Sequence, residues 1–202
     1  MHNFKINSNF TRYIELFLEE NSKCNLISKK DEKFLYEKHI YDSLAIKLFF
    51  EKYKIKSAKI LDIGCGGGFP CVPAAIEFPE MKITGIDSIH KKINAVENIK
   101  NKLDLKNLDL ICGRVENLKN QKYDIILSRA VADLAKISAY ALPLLKKDGY
   151  FIAYKSKKAQ EEIKTAENVI KNFGAEIIDI IEYTLPLEEI YERNLICIKK
   201  LL

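Results

Sequence analysis

At 202 residues, 48% hydrophobic and 30% charged, the chain has the size and balance of one globular domain with a short extension, which excludes a disordered or fibrous protein. No stretch approaches the roughly 18 apolar residues of a membrane-spanning helix, and the start Met1-His2-Asn3-Phe4-Lys5 lacks the apolar core of a secretory leader, so we expect a cytoplasmic protein with no membrane partner. The net charge of +5 permits a nucleic-acid partner through phosphate neutralisation, but only four of the 33 basic residues are arginines (Arg12, Arg114, Arg129, Arg193), and a lysine-rich solvated surface explains the surplus equally well.

The first 55 or so residues carry helical periodicity. Phe10, Tyr13, Ile14, Phe17 and Leu18 recur at three- and four-residue spacing, as do Leu35, His39, Ile40, Leu44, Ile46 and Leu48, with a break between them at Asn21-Ser22-Lys23-Cys24-Asn25. The reading is a helical extension over 1–55 and a main domain over 56–202. From Lys59 onward short apolar runs alternate with helical stretches, the pattern of a doubly wound parallel sheet. Strands are predicted at 59–63, 82–86, 108–112, 123–127, 149–154, 176–183 and 193–199, and helices at 72–78, 90–103, 133–145 and 157–173. The last two strands have no helix between them and should form a hairpin, placing one antiparallel strand in an α/β sheet of about seven. The five cysteines (Cys24, Cys65, Cys71, Cys112, Cys197) are odd in number, scattered and never spaced Cys-x-x-Cys, which predicts reduced thiols and no metal site.

Four of the eight glycines fall between positions 64 and 68, in Asp62-Ile63-Gly64-Cys65-Gly66-Gly67-Gly68-Phe69-Pro70. The run lies between the first strand and the first crossover helix, where a doubly wound sheet presents its ligand edge, and glycine admits both positive φ and close backbone approach. A dinucleotide fingerprint would require glycine where Phe69 stands. The spacing Gly64-x-Gly66-x-Gly68 instead resembles motif I of the class I, Rossmann-like methyltransferases, whose cofactor is S-adenosylmethionine. Asp87 ends the second strand, where a carboxylate accepts from ribose hydroxyls. Asp62 is open to two roles, supporting the loop or facing the sulfonium, and we favour support. In Cys112-Gly113-Arg114-Val115-Glu116, Val115 fits an apolar cover for adenine and Glu116 a partner for its amino group, although a helix cap also explains Glu116.

The ordered set Asn25-Leu26, Lys38-His39-Ile40-x-Asp42-Ser43-Leu44, Gly64 to Pro70, Gly113-Arg114-Val115-Glu116 and Leu127-Ser128-Arg129-Ala130 resembles the bacterial small-subunit ribosomal RNA guanine-N7 methyltransferases, also called glucose-inhibited division protein B, over roughly the first three quarters of the chain. The chain departs at Lys38, where that family often has arginine or another large residue, and at Cys71, where it commonly has a small one. The resemblance implies cofactor contacts at Gly64, Phe69, Val115, Glu116 and Arg129, and a substrate side built from Asn25, His39, Asp42, Ser43 and Lys155. It implies a 7-methylguanine product in the 530 loop of 16S rRNA, with 16S rRNA or the small ribosomal subunit as partner to a monomer.

Guanine N7 carries an in-plane lone pair and no proton, so its methylation needs positioning rather than a general base. Consistently, Ser128-Arg129-Ala130-Val131-Ala132 lacks the Asn/Asp-Pro-Pro-aromatic element of amino-group methyltransferases, and Pro70-Cys71 lies on the wrong loop for cytosine-C5 chemistry. Asp42 reads either as the carboxylate that steadies the charged product or as an exposed pair with Lys38. His39 alone would read as a core histidine. Arg129 reads as a clamp for the methionine carboxylate or a phosphate, or as a partner of Asp133. Arg114 and the cluster Lys155-Ser156-Lys157-Lys158 read as RNA contacts or as a solvated helix start. An NAD-dependent oxidoreductase, a methyltransferase for another RNA, a protein or a small molecule, and a non-catalytic RNA-binding protein are the rival readings.

Overall fold

The computed structural model describes residues 8–118, 121–156 and 159–202; Lys157 and Lys158 of the predicted basic cluster lie outside them. Seven strands form one sheet in the order β3-β2-β1-β4-β5-β7-β6. β1 (Lys59–Ile63), β2 (Lys82–Asp87), β3 (Leu108–Cys112), β4 (Tyr123–Arg129) and β5 (Leu145–Ser156) run parallel. β6 (Ala175–Leu185) and β7 (Tyr191–Lys200) form the predicted hairpin, with β7 antiparallel to both β5 and β6. The central parallel strands are apolar on both faces, as strands covered on both sides must be.

Two cores flank the sheet. One joins Phe10, Tyr13, Phe17, Leu44 and Phe49 of the N-terminal segment to Val72, Ile93, Val96 and Ile99 from helices α4 (Cys71–Glu77) and α5 (His90–Leu103). The other packs Leu134, Ile137, Ala166 and Ile170 from α6 (Leu134–Ala141) and α7 (Ala159–Asn172) on the opposite face. From Phe10 onward the N-terminal helical segment therefore shares its core with the sheet.

The predicted break at 21–25 begins too early: α1 runs Ser8–Cys24 and turns at Asn25, where φ is +51°. Asn21 stays in the helix because it is buried with partners outside it, donating to Glu32 at 2.7 Å and accepting from the Ile27 amide at 2.8 Å. The second predicted helix is composite, a π-helix over Leu35–Tyr41 followed by α2 (Asp42–Leu44) and α3 (Ile46–Lys52). π-turns widen a helix locally and are frequent at functional sites. Asp133 caps α6 rather than opening it, accepting from the Lys136 amide at 2.8 Å, and a 3₁₀ turn over Leu142–Leu144 leads into a β5 that starts four residues earlier than predicted.

Strand order reverses between β1 and β4, and the loops leaving their carboxyl ends diverge there to open a crevice. The glycine loop leaves β1 and Arg129 ends β4, so both stand at that point. Because β7 is antiparallel, its first residues, Tyr191 to Arg193, reach the same edge: Arg193 pairs with Ser156 at the end of β5.

Candidate active site

Gly64, Gly66 and Gly68 have φ of +71°, +53° and +91°. A Cβ on Gly64 would meet Val131 Cγ2 at 2.4 Å, and one on Gly68 would meet Val72 Cγ2 at 2.7 Å, so the first glycine admits the β4–α6 loop and the third the packing of α4. Asp87 ties the loop down. Its Oδ2 accepts from the Gly66 amide and its Oδ1 from the Ile89 amide, both at 2.9 Å. A carboxylate has about four lone-pair sites, so the acceptor capacity that ribose hydroxyls require remains.

Two cavities meet at Gly64, Asp87 and Val131. The first, about 410 Å³, is lined among others by Ile86, Asp87, Ile89, Val115, Glu116 and Tyr140. The second, about 300 Å³, is lined among others by Leu26, Ile27, His39, Gly66, Phe69 and Arg129. The sequence-predicted cofactor residues thus gather on one crevice, except Gly68, which is buried beneath the loop.

The wall of the second cavity is a buried ionic knot. Asp42 is 1% exposed; its Oδ2 accepts from Arg129 Nη1 at 3.0 Å, its Oδ1 from the Tyr183 hydroxyl at 2.7 Å, and Arg193 Nε lies 3.5 Å away. Burial, reinforced by Asp42, pushes the Tyr183 hydroxyl well above its ordinary pKa and keeps it a donor. Arg129 also donates to the Lys38 carbonyl at 3.3 Å, lies over the Phe69 ring at 5.0 Å, and has Nη2 3.1 Å from His39 Nδ1. A guanidinium only donates, so Nδ1 accepts and the imidazole carries its proton on Nε2. Burial, then Arg129, lowers His39 to about 4, and the ring is neutral at neutral pH.

Several of these side chains are placed otherwise than expected. Asp42 is not an exposed partner of Lys38, which instead pairs with Asp31 at 3.5 Å; buried, it lines neither cavity. Arg129 pairs with Asp42 rather than Asp133. Ser43 is fully buried, its hydroxyl donating to the His39 carbonyl at 2.6 Å. Lys155 turns inward, bonding the Ala132 carbonyl at 2.7 Å and Glu162 at 2.6 Å, which ties the β4–α6 loop to α7. Asn25 is exposed at the turn after α1, and its neighbours Leu26 and Ile27 line the cavity in its place. Of the predicted substrate-side set, His39 alone lines either crevice cavity. Sequence reasoning missed Tyr183, Val131 and Tyr140, and it read Arg193 only as a strand start; the hairpin's antiparallel direction was the available signal for Tyr183 and Arg193.

Asp62 supports the loop, as favoured: its Oδ2 accepts from the Cys71 amide at 3.0 Å, while Oδ1 is buried without a hydrogen-bond partner. Complete burial raises its carboxyl to about 7, against the lowering effect of the Cys71 hydrogen bond. The folded chain therefore holds this proton more tightly than the unfolded one, whose carboxyl titrates near about 3.9. The resulting stabilisation is full below about pH 4 and is lost as pH rises towards about 7. Asp62→Asn, which keeps an acceptor for Cys71, is expected to remove that decline in urea-unfolding free energies measured across this window; parallel curves for the two proteins would contradict it.

All five cysteines are free, and among the described residues no cluster of His, Cys, Asp and Glu could hold a metal ion and no helix is long and apolar enough to cross a membrane. Among solved structures, magnesium protoporphyrin IX methyltransferase (ChlM) from Synechocystis PCC 6803 with bound SAM is similar in fold, with a TM-score of 0.67 at 14% identity over 98% of this chain and 100% of that one. M. jannaschii TYW2 in complex with AdoMet has a TM-score of 0.60 at 13% identity over 76% of each chain. In sequence, the chain is 39% identical over 196 residues to the ribosomal RNA small subunit methyltransferase G of Bacillus licheniformis, covering 95% of this chain and 81% of that protein. It is 40% identical over 198 residues to the protein of the same name from Thermoanaerobacter pseudethanolicus, with the same coverage. The profile of the GidB family, rRNA small subunit methyltransferase G, matches residues 6–190. On this extent of agreement, with the glycine cradle and the strand order of a class I methyltransferase, the chain belongs to the rRNA small subunit methyltransferase G family.

Proposed function

We propose that the protein transfers a methyl group from S-adenosylmethionine to N7 of a guanine in the 530 loop of 16S rRNA, the base at position 527 by family resemblance. S-adenosylmethionine supplies an electrophilic methyl on a sulfonium, and the crevice fits it. The Gly66 position leaves open space where a side chain would stand, with its nearest neighbours 3.9 and 4.0 Å from a Cβ. In this reading Asp87 accepts from the ribose hydroxyls, Val115 covers the adenine face, Glu116 accepts from the adenine amino group, and Gly64, Gly66 and Phe69 shape the floor. Arg129 holds the methionine carboxylate with the donors that Asp42 leaves free. The helical extension of residues 1–55 supplies Leu26, Ile27 and His39 to the acceptor cavity.

One observation carries the choice of acceptor atom: His39, the imidazole on the second cavity, is set as a donor and not as a base. Its Nδ1 is taken by Arg129 and its Nε2 bears the proton, while in this reading the ribose hydroxyls take up the acceptor capacity that the two amides leave on Asp87. Such a pocket suits a nucleophile that has no proton to lose, as guanine N7 does, and catalysis then rests on in-line positioning in a preorganised site. His39 Nε2, buried without a hydrogen-bond partner, is the donor left to steady the base. Asp42, Ser43 and Lys155 act as positioning residues, through Arg129, the His39 backbone and the β4–α6 loop. The protein works as a monomer in the cytoplasm, where its substrate is.

Primer extension after borohydride and aniline treatment, on rRNA from normal and gene-disrupted cells, tests the assignment. A stop in the 530 loop that vanishes on disruption and returns with the gene is expected. An unchanged stop would defeat it, and a lost methyl elsewhere in rRNA would redirect it to another base.

A further inference from the structure

Beside the acceptor cavity, segments far apart in sequence bring two aromatic rings to one ammonium. Phe34 ends the 3₁₀ turn Glu32–Phe34 and Tyr191 opens β7. Lys38 Nζ lies 4.6 Å from the Phe34 ring centroid and 5.7 Å from that of Tyr191, and Lys33 Nζ lies 4.8 Å from Phe34. Asp31 shares Lys38 at 3.5 Å and is itself held by Ser28. Tyr191 is 43% exposed and its neighbour Ile190 81%, so this corner presents apolar and aromatic surface to solvent. Lys38 also joins the corner to the site, because its carbonyl accepts from Arg129.

The geometry points to a stacking platform for an unpaired nucleotide next to the target guanine, with Tyr191 and Phe34 taking the base and Lys33 and Lys38 the phosphate; the inference rests on the rRNA reading above. Sequence-specific RNA recognition works on splayed bases that stack on aromatic side chains, and interleaved rings and cations are the means by which single strands are held. The charges set the orientation. Exposed Glu188 and Glu189 precede Tyr191 on the hairpin tip and repel phosphate, which leaves the backbone of the strand to the Lys33 and Lys38 side and the base to Tyr191. A target base turned into the cavity at His39 leaves its neighbour unstacked, and this platform replaces the lost stacking.

Steady-state methylation of unmodified small subunits tests this, together with ultraviolet cross-linking of the complex read by mass spectrometry. Tyr191→Ala is expected to raise KM for the subunit by about tenfold, in line with the loss of one stacked base, with kcat and S-adenosylhomocysteine affinity held. Tyr191→Phe, which keeps the ring, should restore KM, and the cross-link should join Tyr191 to a nucleotide of the 530 loop. An unchanged KM for Tyr191→Ala, or equal damage from Tyr191→Phe, overturns the platform. A cross-link from Tyr191 to a ribosomal protein assigns the corner to a protein partner and overturns it as well. Wild-type enzyme that leaves small-subunit rRNA unmethylated would overturn the rRNA reading itself, and this inference with it.

Discussion

Arg129→Met should abolish methyl transfer and cost the fold about 3–5 kcal/mol, the usual penalty for stranding one member of a buried ion pair. Methionine preserves much of the apolar stem, so what is lost is the charge and its donors. Asp42, 1% exposed, would keep the Tyr183 hydroxyl and the Arg193 Nε at 3.5 Å, which makes no hydrogen bond to it. His39 would lose the donor that fixes its tautomer, and Phe69 the cation over its ring. Against a total stability of about 5–15 kcal/mol for an ordinary domain, such a loss brings the chain close to unfolding at growth temperature. Urea unfolding measures it directly. Adding Asp42→Asn to Arg129→Met removes the stranded charge and should recover part of the stability but none of the activity, a coupling that a double-mutant cycle isolates. Single and double variants of equal stability would show that the pair does not carry this wall.

Gly66→Asp should remove cofactor binding while sparing most of the fold. Its φ of +53° strains any side chain, by about 1–2 kcal/mol, although aspartate tolerates this region better than most. The nearest atoms to a Cβ there are the Gly64 carbonyl at 3.9 Å and Asp87 Oδ2 at 4.0 Å, so the first carbon fits and no core contact is displaced. The new carboxylate, however, occupies the space above the loop and repels Asp87, which then turns from the Gly66 amide. Titration calorimetry with S-adenosylhomocysteine should show affinity reduced more than 100-fold, on the scale of about 3 kcal/mol for one misplaced unpaired charge. Affinity within threefold of wild type would mean that the ligand lies elsewhere. Gly64→Ala offers the contrast, because its Cβ would strike Val131 at 2.4 Å and so disturbs the loop as well as the ligand.

The features legible in the amino-acid sequence are those built from local contacts. Lys59–Ile63, Leu108–Cys112 and His90–Leu103 are predicted to the residue because each strand is a short, mostly apolar run set off from the helical stretches beside it and α5 carries a clean helical period. The glycine loop and Asp87 are legible for the same reason, lying within one strand-turn-helix-strand unit. The ionic wall of the second cavity is not. Arg129 meets Asp42 across 87 positions and Tyr183 meets it across 141, and no spacing rule joins residues so far apart. Asp42 therefore stays open in the sequence between a product-steadying carboxylate and an exposed partner of Lys38, one helical turn before it. The π-turn over Leu35–Tyr41 widens the period that would have shown which face Asp42 occupies. Asn21 misleads in the opposite sense, since a run of Asn, Ser and Lys reads as a break unless its buried partners at Glu32 and Ile27 are known.

The Asp42 knot also orders events in time. Its three supports, the π-turn, β4 and the β6–β7 hairpin, are synthesised in that order. Chains emerge and begin to fold from the amino end at about 5–20 residues per second, so every residue proposed above to hold the methyl donor has been made before Tyr183 and Arg193 appear. A nascent chain can thus complete the segments that line the glycine crevice ahead of Tyr183 and Arg193, and the ionic wall behind His39 closes only once both have been made.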